Sequence, residues 1–431
     1  MSDPQKTKND VAWEQLFEKH HILKTIDDRG QARIASSAIN EFREARLMTK
    51  FDHESNLPLL FQQHDLTILP ITRGEYIIAR MQAYHRIGDV ADNGIIYMDF
   101  PPYIESAEYS NITSESTAIN CAYISGIIAH FLDEEELLPT VSGRMSSGTF
   151  DFSILSGKDG GNLFIDVNNS QVEIDGGYEG YNKLALIEAK VSLASDFLIR
   201  QLYYPYRLWK ERVSKNVEPI FLIYSNALFH LYHYQFTSPK QYNSIQLMKY
   251  QRYSLEARDI ELADIQSVLY STESIEEPDA PFPQADLFER IINLCELLFD
   301  AGKISQEDVT TTYDFDVRQT KYYADAGRYL GLIERVDDDG VSYVLTGEGR
   351  SLLVRSYKER QLGLVRAILR HHVFAAGLRL YLEKGESPTR DEIVSIMKNG
   401  NLYRVKADTT FRRRASTVLS WIGWILSLTR R

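Results

Sequence analysis

Three side chains near the middle of the chain, Asp175, Glu188 and Lys190, have the types and spacing needed to cut a phosphodiester. They lie in QVEIDGGYEGYNKLALIEAKVSLASDFLIRQLYYPYR, residues 171–207, which reads as strand, tight turn, strand and helix. Strand side chains alternate between faces, so Val172 and Ile174 point one way and Glu173 and Asp175 the other. Leu184, Leu186, Glu188 and Lys190 share a face by the same rule. Two carboxylates and an ammonium are therefore predicted to meet at strand ends. Carboxylates are hard oxygen ligands for Mg²⁺, with the Ala189 carbonyl as a third donor, and a lysine beside them can hold or polarise an attacking water. Lys190 is the only lysine in the chain with a carboxylate two residues before it. The plainer reading of the same residues is a surface ion pair on a strand.

An acid ending one strand, a Glu-x-Lys on the next and a helix after it resemble the PD-(D/E)XK nuclease superfamily, with Ile174 standing where that family loosely keeps a proline. The resemblance implies that Asp175, Glu188 and the Ala189 carbonyl bind Mg²⁺ and that Lys190 positions water. It also implies that Gln201, on a helix expected from about Ser192 and shared with Tyr204, orients Lys190 or a phosphate. A helix precedes the core strands of such nucleases and can add an acid to the metal shell. Here that helix follows Asn111, with Ser114 as its N-cap, and the acid is Glu115, although an acid at a helix N-terminus also simply favours the helix dipole. Asp151 and Asp166, on the expected strands Thr149–Leu155 and NLFIDV, compete with Asp175 as ligands. Asp175 is preferred because Gly176 and Gly177 follow it, where backbone can approach a phosphate closely. Glu179, in the same turn, is a further member. Arg144, Ser146 and Gly148 read either as contacts to DNA at the mouth of the site or as a polar loop. His230 and His233 have spacing that permits metal binding, but half-exposed strand histidines are more often polar filler.

The elements that must position these groups come from a chain of 431 residues, long enough for two to four domains with cores of their own. Its two cysteines, Cys121 and Cys295, are far apart, which excludes a disulfide framework and a cysteine zinc site. The N-terminus lacks an apolar leader and no run reaches membrane-spanning length, so an unexported protein of the reducing cytoplasm, away from membranes, is expected. The predicted fold is multidomain α/β and α. Residues 1–95 form a small α+β module whose arginines serve either DNA recognition or a solvated helix face. Residues 96–271 hold a restriction-endonuclease-like mixed sheet flanked by helices. The proline- and acid-rich stretch 272–284 is a linker.

Beyond the linker, residues 285–356 read as three helices and a β-hairpin, the plan of a winged helix-turn-helix. Its third helix would present Arg318, Gln319, Lys321, Tyr322 and Arg328 to DNA. Residues 357–431 repeat the plan less fully, with a single long helix over about 359–383. Arg404, Lys406, Arg412, Arg413 and Arg414 are the candidate contacts there, and Trp421 and Trp424 are expected in the core. Charge supports the assignment: residues 355–431 carry sixteen Lys or Arg against six Asp or Glu, while the rest of the chain carries thirty-two against fifty-four. Phosphate neutralisation supplies most non-specific DNA affinity, so the basic end is the expected DNA-facing part.

A nuclease core joined to winged-helix modules resembles type II restriction endonucleases. That implies Mg²⁺-dependent cutting of double-stranded DNA to 5′-phosphate and 3′-hydroxyl ends. It also implies a homodimer, since two strands need two active sites, and functional pairing with a DNA methyltransferase or a target confined to modified DNA. The competing class is a DNA-binding transcriptional regulator with a catalytically silent nuclease fold. A repair or RNA-directed nuclease is a further alternative, although the signatures of common RNA-binding modules are absent.

Overall fold

The computed structural model describes residues 6–88, 93–157, 160–256, 260–315, 317–338, 340–400, 402–403 and 405–429. The chain forms two compact units. The first comprises Met1–Tyr224, Leu228–Leu255 and Thr312–Asp314, and the second Ser225–Ala227, Glu256–Thr311 and Phe315–Arg431. No described helix is long and apolar enough to cross a membrane.

The first unit opens with α1 (Lys8–Lys19), α2 (Ile22–Arg29), β1 (Gln31–Ala35), α3 (Ser36–Asn40), α4 (Ala45–Thr49), α5 (Leu59–Gln63), β2 (Thr67–Pro70) and β3 (Glu75–Ala79). Thr7 caps α1 by a reciprocal pair of bonds with Asp10, satisfying amides that the first turn leaves free. Trp13, Leu16, Phe17, Met48, Phe61 and Ile78 pack into one core, and the Trp13 indole donates to the Met48 carbonyl at 3.0 Å. α1 and α2 are separated at His21, which takes a left-handed φ of +50°. β1 forms where Ala32 and Ile34 alternate into the core and pair with Ile78 and Tyr76 of β3.

The chain continues through β4 (Tyr84–Arg86), β5 (Ile95–Tyr97), α6 (Glu115–Ile124), α7 (Ile127–Leu132), β6 (Leu138–Ser146), β7 (Thr149–Leu155), β8 (Asn162–Asn168) and β9 (Gln171–Glu179). Then come β10 (Lys183–Lys190), β11 (Asp196–Leu198), α8 (Arg200–Lys210), β12 (Asn216–Ser225), β13 (Leu228–Phe236) and β14 (Ile245–Ser254). Seven strands build one mixed sheet in the order β5-β14-β13-β12-β10-β9-β6, with β10 parallel to β12 and antiparallel to β9. Helices cover both faces. Leu202, Tyr203 and Tyr204 of α8 pack against Val172, Ile174, Leu184, Leu186 and Phe221. Ala118, Ile119 and Ala122 of α6, with Ile128 and Phe131 of α7, pack against Ala185, Ile187, Ala189, Ile220 and Leu222. A central strand buried on both faces reads as a continuous apolar run, and β10 does so until Glu188 and Lys190 interrupt it.

Three expectations for this sheet are corrected. β7 and β8 pair as a two-stranded ribbon separate from the seven-stranded sheet, with an isolated bridge from Ser153 to Gln241, whereas the stretch read as a polar loop at Arg144 and Ser146 lies in β6, an edge strand paired with β9. The tight turn is not at Gly176-Gly177, since β9 runs unbroken to Glu179 and the chain reverses at residues 180–183. The helix after β10 starts at Arg200 rather than Ser192, because β11 intervenes and pairs with β4.

The second unit holds α9 (Leu262–Ser271), α10 (Phe288–Ala301), β15 (Lys303–Ser305), α11 (Gln306–Thr312), α12 (Val317–Tyr329), β16 (Ile333–Asp337), β17 (Val341–Leu345), α13 (Gly347–Leu353), α14 (Tyr357–Leu369), α15 (His372–Lys384), α16 (Arg390–Asn399) and α17 (Asp408–Ser427). The strands form a small antiparallel sheet, β15-β17-β16. The expected linker is without helix or strand, yet it is anchored: Phe282 is buried against Tyr329 and Phe374, and the Tyr329 hydroxyl donates to Glu277. Trp421 and Trp424 lie in the core against Phe288, as expected, and Trp421 donates to the Ala285 carbonyl at 2.7 Å. Among the described residues of 357–431 the regular structure is helical, the long helix expected there is split at Arg370–His371, and no described strand is present to make a wing.

Candidate active site

The β9–β10 ladder pairs Leu184 with Glu179 and ends at Ile187 and Gly176, one residue short of Glu188 and Asp175. Where the backbones part, side chains take over. Asp175 Oδ2 accepts the Ala189 amide at 3.0 Å, while Glu188 Oε1 accepts from both Lys190 Nζ and Gln201 Nε2 at 2.6 Å. Lys190 Nζ also lies 3.7 Å from Glu115 Oε1 and 4.0 Å from Asp52 Oδ2. The N-terminus of α6 brings in Glu115, with Ser114 accepting the Thr117 amide as its cap, and the first turn of α8 brings in Gln201. The structure thus gathers Asp175, Glu188, Ala189, Lys190, Gln201 and Glu115. Gln201 reaches Glu188 rather than Lys190.

Electrostatics set these acids apart. Burial pushes the Glu188 carboxyl up to about 8, against the pull of Lys190, and the neighbouring charge of Asp175 adds to the rise. Burial likewise raises Asp175 and Glu115. Burial opposes the charge on Lys190, but the carboxylates of Glu188, Asp52 and Glu115 more than offset it and hold the ammonium charged. Anionic groups crowded beyond what one lysine neutralises are the donor set a hard divalent cation would satisfy. Each central acid keeps one oxygen clear of the bonds described above, Oδ1 in Asp175 and Oε2 in Glu188. A cleft of about 330 Å³ opens beside Asp175, lined among others by Ser116, Asn120, Thr140 and Ser142.

Other sequence candidates fall elsewhere. Gly176 and Gly177 serve close packing, because a Cβ on Gly177 would stand 2.7 Å from Val141 Cβ and one on Gly176 3.1 Å from Ile119. Glu179 is a strand residue paired with Lys215 at 2.6 Å. Asp151 and Asp166 face each other across the separate ribbon, exposed, with Asp151 bound to Lys240. Arg144 pairs with Glu173, while His230 bonds the Tyr250 hydroxyl and His233 bonds Glu218.

Asp52 is the residue that sequence reasoning missed. It sits in irregular chain about 140 residues before Lys190, and no spacing marks it. Close by, His53, Asp196 and Asp314 are the only described group of three that brings metal-ligating atoms within 4.8 Å of one another. Their bonds are already spent on protein. His53 Nδ1 donates to the Asp196 carbonyl at 2.8 Å, Asp196 accepts the Glu54 amide, and Asp314 accepts from Ser195 N, Ser195 Oγ and Ser55 Oγ. That set is a structural anchor.

In the second unit, Arg318, Gln319 and Lys321 are exposed on α12, while Tyr322 and Arg328 are half-buried and Arg328 pairs with Asp325 at 2.9 Å. Lys406, Arg412 and Arg413 are exposed, Arg412 pairing with Asp391. Arg414 is corrected: it is 8% exposed and turned inward on α17, so it is not a surface contact for DNA. Arg404 lies outside the described residues.

Comparison with known proteins gives three family matches, each described as a domain of unknown function: DUF6996 over residues 10–78, DUF6997 over 79–254 and DUF7226 over 290–430. The site on β9, β10, α6 and α8 falls within the second match, and Asp52 within the first. No curated protein and no solved structure matches the chain.

Proposed function

We propose that the chain is a Mg²⁺-dependent endonuclease of the PD-(D/E)XK kind, acting on double-stranded DNA and leaving 5′-phosphate and 3′-hydroxyl ends in the manner of a type II restriction enzyme. The observation that carries this reading is the convergence of Asp175, Glu188 and Lys190 at the point where β9 and β10 part. Asp175 and Glu188 would hold Mg²⁺ through their unengaged oxygens, with the Ala189 carbonyl and Glu115 completing the set. The ion, when bound, supplies charge neutralisation on the phosphorane oxygens. Lys190 then orients the attacking water or the scissile phosphate with an ammonium that its acidic surroundings keep charged. Gln201 fixes the rotamer of Glu188 by donating to Oε1.

Helix, strand, two helices and a hairpin from α10 to β17 follow the winged-helix order, and the exposed Arg318, Gln319 and Lys321 of α12 suit a helix that meets DNA. Incubating the protein with methylated and unmethylated phage and plasmid DNA, with Mg²⁺ or with EDTA, tests the proposal. Discrete metal-dependent fragments are expected. Intact DNA on every substrate together with a specific gel shift would replace the nuclease with a silent DNA-binding regulator.

A further inference from the structure

We propose that Asp52 is a positioning residue of the active site, contributed by the N-terminal module to hold the Lys190 ammonium in place. The inference rests on the nuclease reading for its catalytic meaning, and on geometry for the contact itself. Asp52 Oδ2 stands 4.0 Å from Lys190 Nζ and 3.7 Å from Lys50 Nζ, with its side chain only 17% exposed. Among the described residues no hydrogen bond holds its carboxylate, so the fold does not require an acid at this position.

What the fold does hold is the backbone around it. Leu198 N donates to the Asp52 carbonyl at 3.0 Å and the Tyr84 hydroxyl to the Phe51 carbonyl at 2.9 Å. His53 is pinned to Asp196, Glu54 N donates to the Asp196 carboxylate, and Ser195 is bonded to Asp314. The segment from Phe51 to Glu54 is therefore clamped along β11, and the clamp aims the Asp52 carboxylate at Lys190.

The reason to spend such an anchor on an acid lies in the sharing of Glu188. Its Oε1 serves Lys190 and Gln201 at once. Were Glu188 to share its charge with a cation through Oε2, its pull on Lys190 through Oε1 would weaken. Asp52, which lies outside the proposed cation set, then remains to keep the ammonium at the reacting phosphate. Among the acids around Lys190, Asp52 is also the one shifted downward, burial being outweighed by Lys190, Lys50 and other cations. It stays a counter-charge where its neighbours are pushed toward neutrality.

The test compares the full-length wild type with Asp52→Asn, Asp52→Glu, Lys190→Met and the Asp52→Asn/Lys190→Met double variant. Two measurements are made: thermal unfolding in EDTA, and DNA cleavage with Mg²⁺. In unfolding, the two single changes are expected to be non-additive, the double variant losing no more than Lys190→Met alone. In cleavage, Asp52→Asn is expected to lower kcat at least tenfold with KM for DNA within twofold, and Asp52→Glu to recover most of the loss. Additive unfolding effects, or an unchanged kcat in Asp52→Asn, overturn the proposal. A wild type that cuts nothing removes the nuclease reading alone, because non-additive unfolding still upholds the hold of Asp52 on Lys190 and additivity still overturns it.

Discussion

Lys190 Nζ and Glu188 Oε1 meet at 2.6 Å on one face of a strand whose other buried residues are apolar, and both side chains are about nine-tenths buried. A pair taken that far from water costs several kcal/mol of desolvation per ion before its mutual attraction is counted, so a need other than stability is implied. Lys190→Ala is expected to abolish Mg²⁺-dependent cleavage, by 10³-fold or more at the order of magnitude usual for a lost general or electrostatic catalyst. DNA binding, measured by gel shift, is expected to survive. Cleavage retained in the variant would remove Lys190 from the site.

Gln201 acts through Glu188, by a single bond to the oxygen that Lys190 also uses. Groups that orient metal ligands are typically worth about 10–100-fold in affinity or activity. Gln201→Ala and Gln201→Leu are therefore expected to weaken Mg²⁺ binding, followed by calorimetry, within about that range. An unchanged metal isotherm in both variants would leave Gln201 as packing only.

Burial of Glu188 has a consequence for stability. Its carboxyl is raised from 4.5 to about 8 in the folded chain, so the folded state binds a proton more tightly than the unfolded one. Stability from this group is fully present below about pH 4.5 and is lost as pH rises through 8. At about 1.4 kcal/mol per unit, the loss reaches on the order of a few kcal/mol. In EDTA the unfolding midpoint of the wild type should fall between pH 5 and pH 8.5 by more than that of Glu188→Gln. Excess Mg²⁺ should narrow the difference by binding the charged form. Parallel pH profiles for the two proteins would contradict the assignment.

Gly177 occupies a place where β9 and β6 approach too closely for a side chain, with Val141 Cβ at 2.7 Å and Val141 O at 2.9 Å from any added Cβ. Because part of the obstruction is backbone, it cannot rotate away. Gly177→Ala is expected to cost about 1–3 kcal/mol by denaturant unfolding, the range for overpacking, with most of the effect confined to the first unit. Gly94→Ala, where the added Cβ meets no atom within 4 Å, is the contrasting case in which only the φ of +76° is strained.

What could be read in the sequence, and what could not, divides along physical lines. Glu188 and Lys190 were legible because the period-2 pattern of β10 fixes which residues share a face, and the apolar run marks the strand as buried. The helix carrying Glu115 was legible from Ser114 and its apolar stripe. β6 was not, because most of its side chains are exposed and it has no hydrophobic alternation to betray a strand. Gly176 and Gly177 looked like a turn because glycine signals both a reversal and a close approach, and only the position of Val141 decides between them. Asp52 was invisible, since a carboxylate delivered by irregular chain acquires its role entirely from tertiary bonds such as Leu198 N to the Asp52 carbonyl.

The run Arg412-Arg413-Arg414 shows the same limit and yields the last prediction. Composition treats the three alike, but a helix turns about 100° per residue, so consecutive side chains cannot share a face. Arg413 is exposed, whereas Arg414 is buried with Nε and Nη1 unpartnered among the described residues, and burial pulls its guanidinium below the usual range. If the basic end of the chain neutralises DNA phosphates, Arg413→Ala and Lys321→Ala should each weaken binding evenly across sequences and reduce the slope of log K against log salt by about one. Arg414→Met should leave that slope unchanged and, by relieving a buried charge that is incompletely hydrogen-bonded, should hold or raise the unfolding midpoint of the second unit. A salt slope that falls for Arg414→Met and not for Arg413→Ala would mean that the buried guanidinium turns outward to meet DNA.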